Sequence, residues 1–297
     1  MDSRRARLNR SLLRARAGVR ALRADPVLPG PTAGRAPLEG IYLGNGLLLT
    51  RHPYGGPMFV DARDLTVTPR ILTGEYEPDL ARLLPSLVRG GDLVLDIGAN
   101  QGFHTITMAS GVGPAGHVVS FEPNPRTADV LEKNVMLSGL RQLVTIERVA
   151  ASDRAGSASF RALEHEPAGS HLLAAAQEWT AALPHELLEV EMVDIGAFAA
   201  GLPRPPRLVK IDAEGHDIHV LERLLSTLPP DPERVYIVEI IPGLIEGGPQ
   251  RLLDLMAREG LHAFAFSGRP GPAPVDGDYL STVSFEDLVF TYATRLP

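Results

Sequence analysis

Five short apolar runs, most of them separated by stretches of helical periodicity, constrain this chain more than any other feature. They are LVLDIG (93–98), HVVSFEP (117–123), LVTIERVA (143–150), RLVKIDAEG (207–215) and RVYIVEII (234–241). Strands this continuously apolar need cover on both faces, and helices between them provide it. The fold class expected is α/β, with a mostly parallel central sheet and helices on both sides, over residues 76–297. Ahead of it, IYLGNGLLLT and MFVDARDLTV flank the turn signal HPYGGP, so residues 41–75 read as a small β element. Residues 155–194 interrupt the alternation between the third and fourth principal strands with GSASFRAL, a helix-like LLAAAQEWTAAL and LEVEMVDI. This insertion is the expected lid and substrate selector. Residues 264–284 read as a Gly/Pro-rich loop, and FEDLVFTYA (285–293) as a final strand.

Charge is uneven along the chain. Residues 1–25 carry eight arginines against Asp2 and Asp25, while the whole chain has a net charge of −7, leaving a strongly acidic body. Leu8, Leu12, Ala15, Val19 and Leu22 recur at helical spacing among those arginines, which predicts a basic amphipathic helix over 1–25. It suits docking, or contact with a second copy of the chain. Residues 26–40 are a Pro/Gly linker. An acidic body is a poor partner for nucleic acid. With no cysteine, disulfides, thiolate metal sites and cysteine nucleophiles are excluded. No apolar run approaches the ~18 residues of a membrane span, and MDSRRARLNR lacks the apolar core of a secretory signal. The expected compartment is the cytoplasm.

The first strand ends in Asp96-Ile97-Gly98-Ala99-Asn100-Gln101-Gly102 and opens directly into FHTITMA. Gly98 and Gly102 allow close approach of backbone to a ligand, and the helix start offers unpaired N–H groups. The dinucleotide signature G-x-G-x-x-G and the phosphate loop G-x-x-x-x-G-K-[ST] are both absent. An acid at the strand tip suits a cationic ligand better than a pyrophosphate, and S-adenosylmethionine is such a ligand. Glu122, ending the second strand, can accept hydrogen bonds from two ribose hydroxyls.

GEYEPDL (74–80), LVLDIGANQGFHTITMA (93–109), FEPNP (121–125), VAASD (149–153) and LVKIDAEGHD (208–217) together resemble the FkbM-type methyltransferase family. The resemblance spans roughly residues 70–260. It implies the Rossmann-like class I methyltransferase fold, S-adenosylmethionine as cofactor, and O-methylation of a hydroxyl on a sugar, polyketide or related natural product. It also implies that Asp96, Gly98, Asn100 and Gly102 wrap the methionine part, and that Glu122 binds the ribose with Asn124 beside it. Ala151, Ser152 and Asp153 would lie near adenine, and Tyr76 and Glu77 would close over the cofactor.

The fourth strand ends in Lys210-Ile211-Asp212-Ala213-Glu214-Gly215-His216-Asp217. Alternation sets Lys210 and Asp212 on one side, with Asp212 at the tip beside the expected methyl position. Asp212 or His216 is the candidate base or substrate orienter; alternatively Asp212 and Glu214 cap the following helix. Glu239, inside an apolar strand, is either a substrate ligand or the partner of Lys210. His104, Lys210, Glu214 and Trp179 are further substrate candidates. Asp212 with Glu239 would also suit Mg²⁺, although no spacing requires a metal, and His165, His171 and His185 lack zinc-type spacing. A nicotinamide-dependent oxidoreductase and a non-catalytic cofactor-binding protein, docked through the basic helix, are the competing readings.

Overall fold

The computed structural model describes residues 40–296 other than Gly55, Ala176, Gln177, Pro270 and Ser281, and the side chains of all these except Glu178 and Trp179. The expected basic helix and nearly all of the linker lie outside the described residues. The chain begins with β1 (Ile41–Gly44), β2 (Leu47–Arg51) and β3 (Pro57–Asp61), an antiparallel sheet in that order. Helices α1 (Val67–Thr73) and α2 (Pro78–Leu87) lead to the central sheet. Its first half is β4 (Leu93–Ile97), α3 (Phe103–Val112), β5 (His117–Phe121), α4 (Pro125–Leu137) and β6 (Val144–Glu147).

A second sheet follows, made of β7 (Ala150–Ser152), β8 (Gly156–Leu163), β9 (His171–Leu172) and β10 (His185–Asp194) in the order β7-β10-β8-β9. Then come α5 (Ile195–Ala200), β11 (Leu208–Ile211), α6 (Asp217–Leu225), β12 (Val235–Ile240), α7 (Pro249–Glu259), β13 (His262–Ala265), β14 (Ala273–Pro274) and β15 (Glu286–Thr291). The central sheet runs β14-β13-β15-β12-β11-β4-β5-β6. The five strands from β12 to β6 are parallel, and β15 enters antiparallel between β12 and β13. This is the α/β sheet expected, with both faces covered. Leu93, Leu95 and Ile97 pack with Leu221 and Leu224 of α6 on one side. Val94 faces the other side, with Leu84 of α2, Met108 of α3 and Leu131 of α4.

Three expectations change. LVTIERVA is two strands, because β6 stays in the central sheet while β7 pairs with β10. LLAAAQEWTAAL forms two short 3-10 turns, Leu173–Ala175 and Glu178–Ala182, in place of a helix. There Arg161 of β8 donates to the Thr180 hydroxyl at 2.9 Å, so packing against the sheet overrides alanine's helix propensity. The Gly/Pro-rich loop begins only after β13, a strand too short to show a period, and it contains β14.

The N-terminal sheet is fastened to the glycine turn by two amides. Asn134 accepts from the Phe59 N–H at 2.7 Å and donates to the carbonyls of Phe59 and Gln101 at 2.8 and 2.7 Å. The Gln101 side chain accepts from the Asp61 N–H and donates to Asp64. Asn134 is fully buried. Asn134→Ala strands three backbone groups without partners and should cost about 2–4 kcal/mol in urea denaturation.

Candidate active site

At the carboxyl ends of β4, β5, β11 and β12 lies a cleft of about 220 Å³, open to solvent. Of the residues singled out from sequence, Tyr76, Glu77, Gly98, Asn100, Glu122, Ala151, Asp212, Glu214, His216 and Glu239 line it. Phe160, His171 and Leu172 of the inserted sheet form part of its wall, as does Arg70 of α1. Arg70 and Phe160 did not stand out in the sequence, and His171 was named there only for lacking zinc-type spacing.

Gly98 explains how the strand tips come so close. Its φ is +75°, and a Cβ built there would sit 1.7 Å from the Asp212 carbonyl oxygen. Asn100 has φ +47°, which turns its N–H toward Glu122 Oε2 at 2.9 Å. Glu122 Oε1 accepts from the Asn124 N–H, also at 2.9 Å. Asn124 itself caps α4, with its side chain accepting from Arg126 N–H. Burial pushes the Glu122 carboxyl up to about 7, against the pull of these two N–H donors.

Behind the turn is a buried charge cluster. Asp96 is fully buried and accepts from the Thr105 hydroxyl, while its Oδ1 has no hydrogen-bond partner. Burial raises its carboxyl in spite of Lys210. Lys210, its register partner on β11, is 3% exposed and donates to Asp212 Oδ2 at 2.7 Å. Burial alone would lower the Lys210 ammonium; Asp212, Asp96 and Glu77 reverse that and keep it charged. Lys210 is thus turned away from the cleft and not toward an acceptor, and it does not pair with Glu239. His104 likewise faces Glu77, Nε2 to Oε2 at 2.5 Å, and lies with Asp96 and Lys210 around a small separate cavity. Burial pushes Glu77 upward, but His104 and Lys210 outweigh it and hold the carboxyl at about 2. Tyr76 is raised well above its ordinary value by burial and stays a neutral phenol. Gly102 is the N-cap of α3 and packs on Leu131.

On the cleft side, Asp212, Glu214 and Glu239 each offer a carboxylate oxygen, all within 4.8 Å of one another. These are the residues able to hold a metal through oxygen. Burial, then the carboxylates of Asp212, Glu214, Asp217 and Asp287, push Glu239 well above the usual range. Asp287 is its register partner on β15. Capping falls to neither Asp212 nor Glu214: Asp217 accepts from the N–H groups of Ala213 and Gly215 at 2.6 and 2.9 Å and so shapes the loop. His216 turns toward the β7 end, where Nε2 meets the Ser152 hydroxyl at 2.9 Å, and burial holds the imidazole down at about 4. That hydroxyl donates to Asp153, which is also within 3.5 Å of Arg154. The Trp179 side chain lies outside the described residues. Three of the four described non-glycine residues with positive φ, Glu77, Asn100 and Glu214, line this cleft.

Gly98→Ala combines an unfavourable φ with a clash against backbone that cannot rotate away. We expect a loss of about 3 kcal/mol or more in urea denaturation, with m unchanged.

Residues 96–258, more than half of the chain, match the family described as methyltransferase FkbM domain. Over 178 residues the chain is 29% identical to the hexuronic acid methyltransferase AglP of Haloferax volcanii, covering 60% of this chain and 68% of that protein. It is 34% identical over 85 residues to a catechol O-methyltransferase of Mycobacterium tuberculosis, 29% of this chain and 38% of the other. Among solved structures, the O-methyltransferase TomG of Streptomyces achromogenes is similar over 70% of this chain and 76% of its own, at 16% identity and a TM-score of 0.42. The family match favours methyl transfer over the nicotinamide reading. The chain belongs to the FkbM methyltransferase family.

Proposed function

We propose that this methyltransferase binds S-adenosylmethionine across the tips of β4, β5 and β7 and transfers its methyl group to a hydroxyl of a sugar-acid acceptor. The observation that carries the reading is the cleft itself, lined by carboxylates on both sides of the Gly98 turn. A cofactor bearing an ammonium and a sulfonium is attracted there, whereas a pyrophosphate is repelled. In this arrangement Glu122 accepts from the two ribose hydroxyls, and Ala151, Ser152 and Asp153 border the adenine. Asp96, Gly98, Asn100 and Gly102 surround the methionine part, with Tyr76 and Glu77 above it.

The acceptor oxygen attacks the methyl carbon in line with the departing sulfur. The C–O bond forms as the C–S bond breaks, the sulfonium becomes a neutral thioether, and the hydroxyl proton leaves. Asp212 is the group at the strand tip able to orient that hydroxyl and take its proton. Glu239 supports it. His216, neutral and engaged with Ser152, serves the adenine side. Two observations favour an acidic sugar. One is the relative named for hexuronic acid. The other is Arg70, the one lysine or arginine among the described residues lining an otherwise acidic cleft, a partner for an acceptor carboxylate.

Incubation with S-adenosylmethionine and a panel of uronic acid glycosides and their neutral counterparts, read as S-adenosylhomocysteine formed, tests the class. Turnover on uronates is expected; turnover on neutral sugars alone sinks the acidic-acceptor assignment. Asp212→Asn should lower turnover at least ~100-fold and leave S-adenosylhomocysteine binding within about threefold, while Asp96→Asn weakens that binding. Near-normal turnover of Asp212→Asn removes this residue from the chemistry.

The cofactor site should also respond to pH. Glu122 must be ionised to accept from both hydroxyls, and burial holds its carboxyl up at about 7. Affinity for S-adenosylhomocysteine should therefore fall about tenfold from pH 8 to pH 6. In Glu122→Gln the affinity should be lower and flat across that range, as calorimetric titration would show.

A further inference from the structure

Asp212 ends β11, Glu214 follows two residues later with φ +50°, and Glu239 lies near the end of β12. Their nearest oxygens lie within 4.8 Å of one another. Three carboxylates this close repel strongly unless something positive lies among them. Lys210 donates to Asp212 Oδ2, and His216 Nε2 meets the Ser152 hydroxyl. Glu239 is 7% exposed, and its Oε2 is buried with no hydrogen-bond partner. A buried carboxyl oxygen without a partner, on a side chain beside two other acids, calls for a ligand.

All of the ligand atoms on offer are oxygens, the preference of hard divalent cations. Oxygens within 4.8 Å of one another can share one ion, since two ligands opposite each other on an ion with ~2.4 Å bonds are that far apart and adjacent ligands are closer. Glu214 and Glu239 also border a second opening to solvent between Glu166, Leu244 and Phe285, so an ion can reach them.

We infer that Asp212, Glu214 and Glu239 bind one divalent cation of the Mg²⁺ or Mn²⁺ kind at the floor of the cleft. Three protein oxygens leave half of an octahedral shell open, enough for two neighbouring oxygens of an acceptor and one water. The part played by the acceptor rests on the hydroxyl-methylation reading above; binding of the cation does not.

The test is a titration of the chelator-washed full chain with Mn²⁺, following the free-ion signal by electron paramagnetic resonance. One Mn²⁺ per chain is expected, displaced by excess Mg²⁺ and retained with saturating S-adenosylmethionine. Glu214→Gln and Glu239→Gln should each weaken it about tenfold or more, whereas Glu186→Gln, at an exposed position on β10, should not. Should Glu239→Gln fail to fold, as circular dichroism would reveal, Glu214→Gln decides alone, since this residue sits in a loop. No saturable binding up to about 5 mM, beyond the ~1 mM of the weakest oxygen-donor sites, overturns the inference. So does undiminished binding by the folded glutamine variants. Expulsion of Mn²⁺ by S-adenosylmethionine would make the three acids counter-ions of the cofactor and overturn it equally. Mn²⁺ that binds as expected but leaves turnover on an established acceptor unchanged would uphold the site and remove only the acceptor's contact with it.

Discussion

Lys210 extends its ammonium from β11 into a buried space shared with Asp96, Asp212 and Glu77, and most of the cleft depends on that arrangement. The three carboxylates come from the tips of two neighbouring strands and from the residue preceding α2. Without a common cation, low-dielectric repulsion would drive them apart or neutralise them by protonation. With it, Asp212 is held at the edge of the cleft and Asp96 beneath the glycine turn. The turn can then close on Asp212 because Gly98 presents no side chain to its carbonyl.

The charge distribution divides the cleft by height. Below the turn, polar partners are matched: Lys210 donates to Asp212, and His104 Nε2 meets Glu77 Oε2. Above it, burial and neighbouring acids disfavour the ionised forms of Glu122 and Glu239. Such groups are poised to exchange a proton for a positively charged or hydrogen-bond-donating ligand. An acidic body and an acid-lined cleft also agree with the absence of phosphate-binding motifs in the sequence.

Much of the central sheet was legible because apolar runs with no polar face can only be interior strands, and β4, β5, β11 and β12 fall within them. Alternation along β11 also set Lys210 and Asp212 on one side, as observed, although it did not decide between Asp212 and Glu239 as the lysine's partner. That choice belongs to three-dimensional distance. Asp287 was invisible for a related reason: it meets Glu239 only through the antiparallel β12–β15 register. Asn134 and Gln101 read as ordinary helix and turn residues, because their partners lie 33 to 75 residues away. The segment after β9 misled in the opposite direction, its alanines promising a helix that contact with β8 does not permit.

Glu77, Asn100 and Glu214 hold left-handed backbone where glycine would be at ease. Each such conformation costs a non-glycine residue on the order of 1 kcal/mol. Anyone seeking a hardier version of this protein would find these three positions near the top of the list, since glycine there would relieve the backbone strain. The same exchanges would take the Glu77 carboxylate from His104 and Lys210, and the Glu214 carboxylate from the floor of the cleft. Heat tolerance and chemistry compete for the same three residues, so the route to a sturdier protein lies in the outer helices and not in relaxing this backbone.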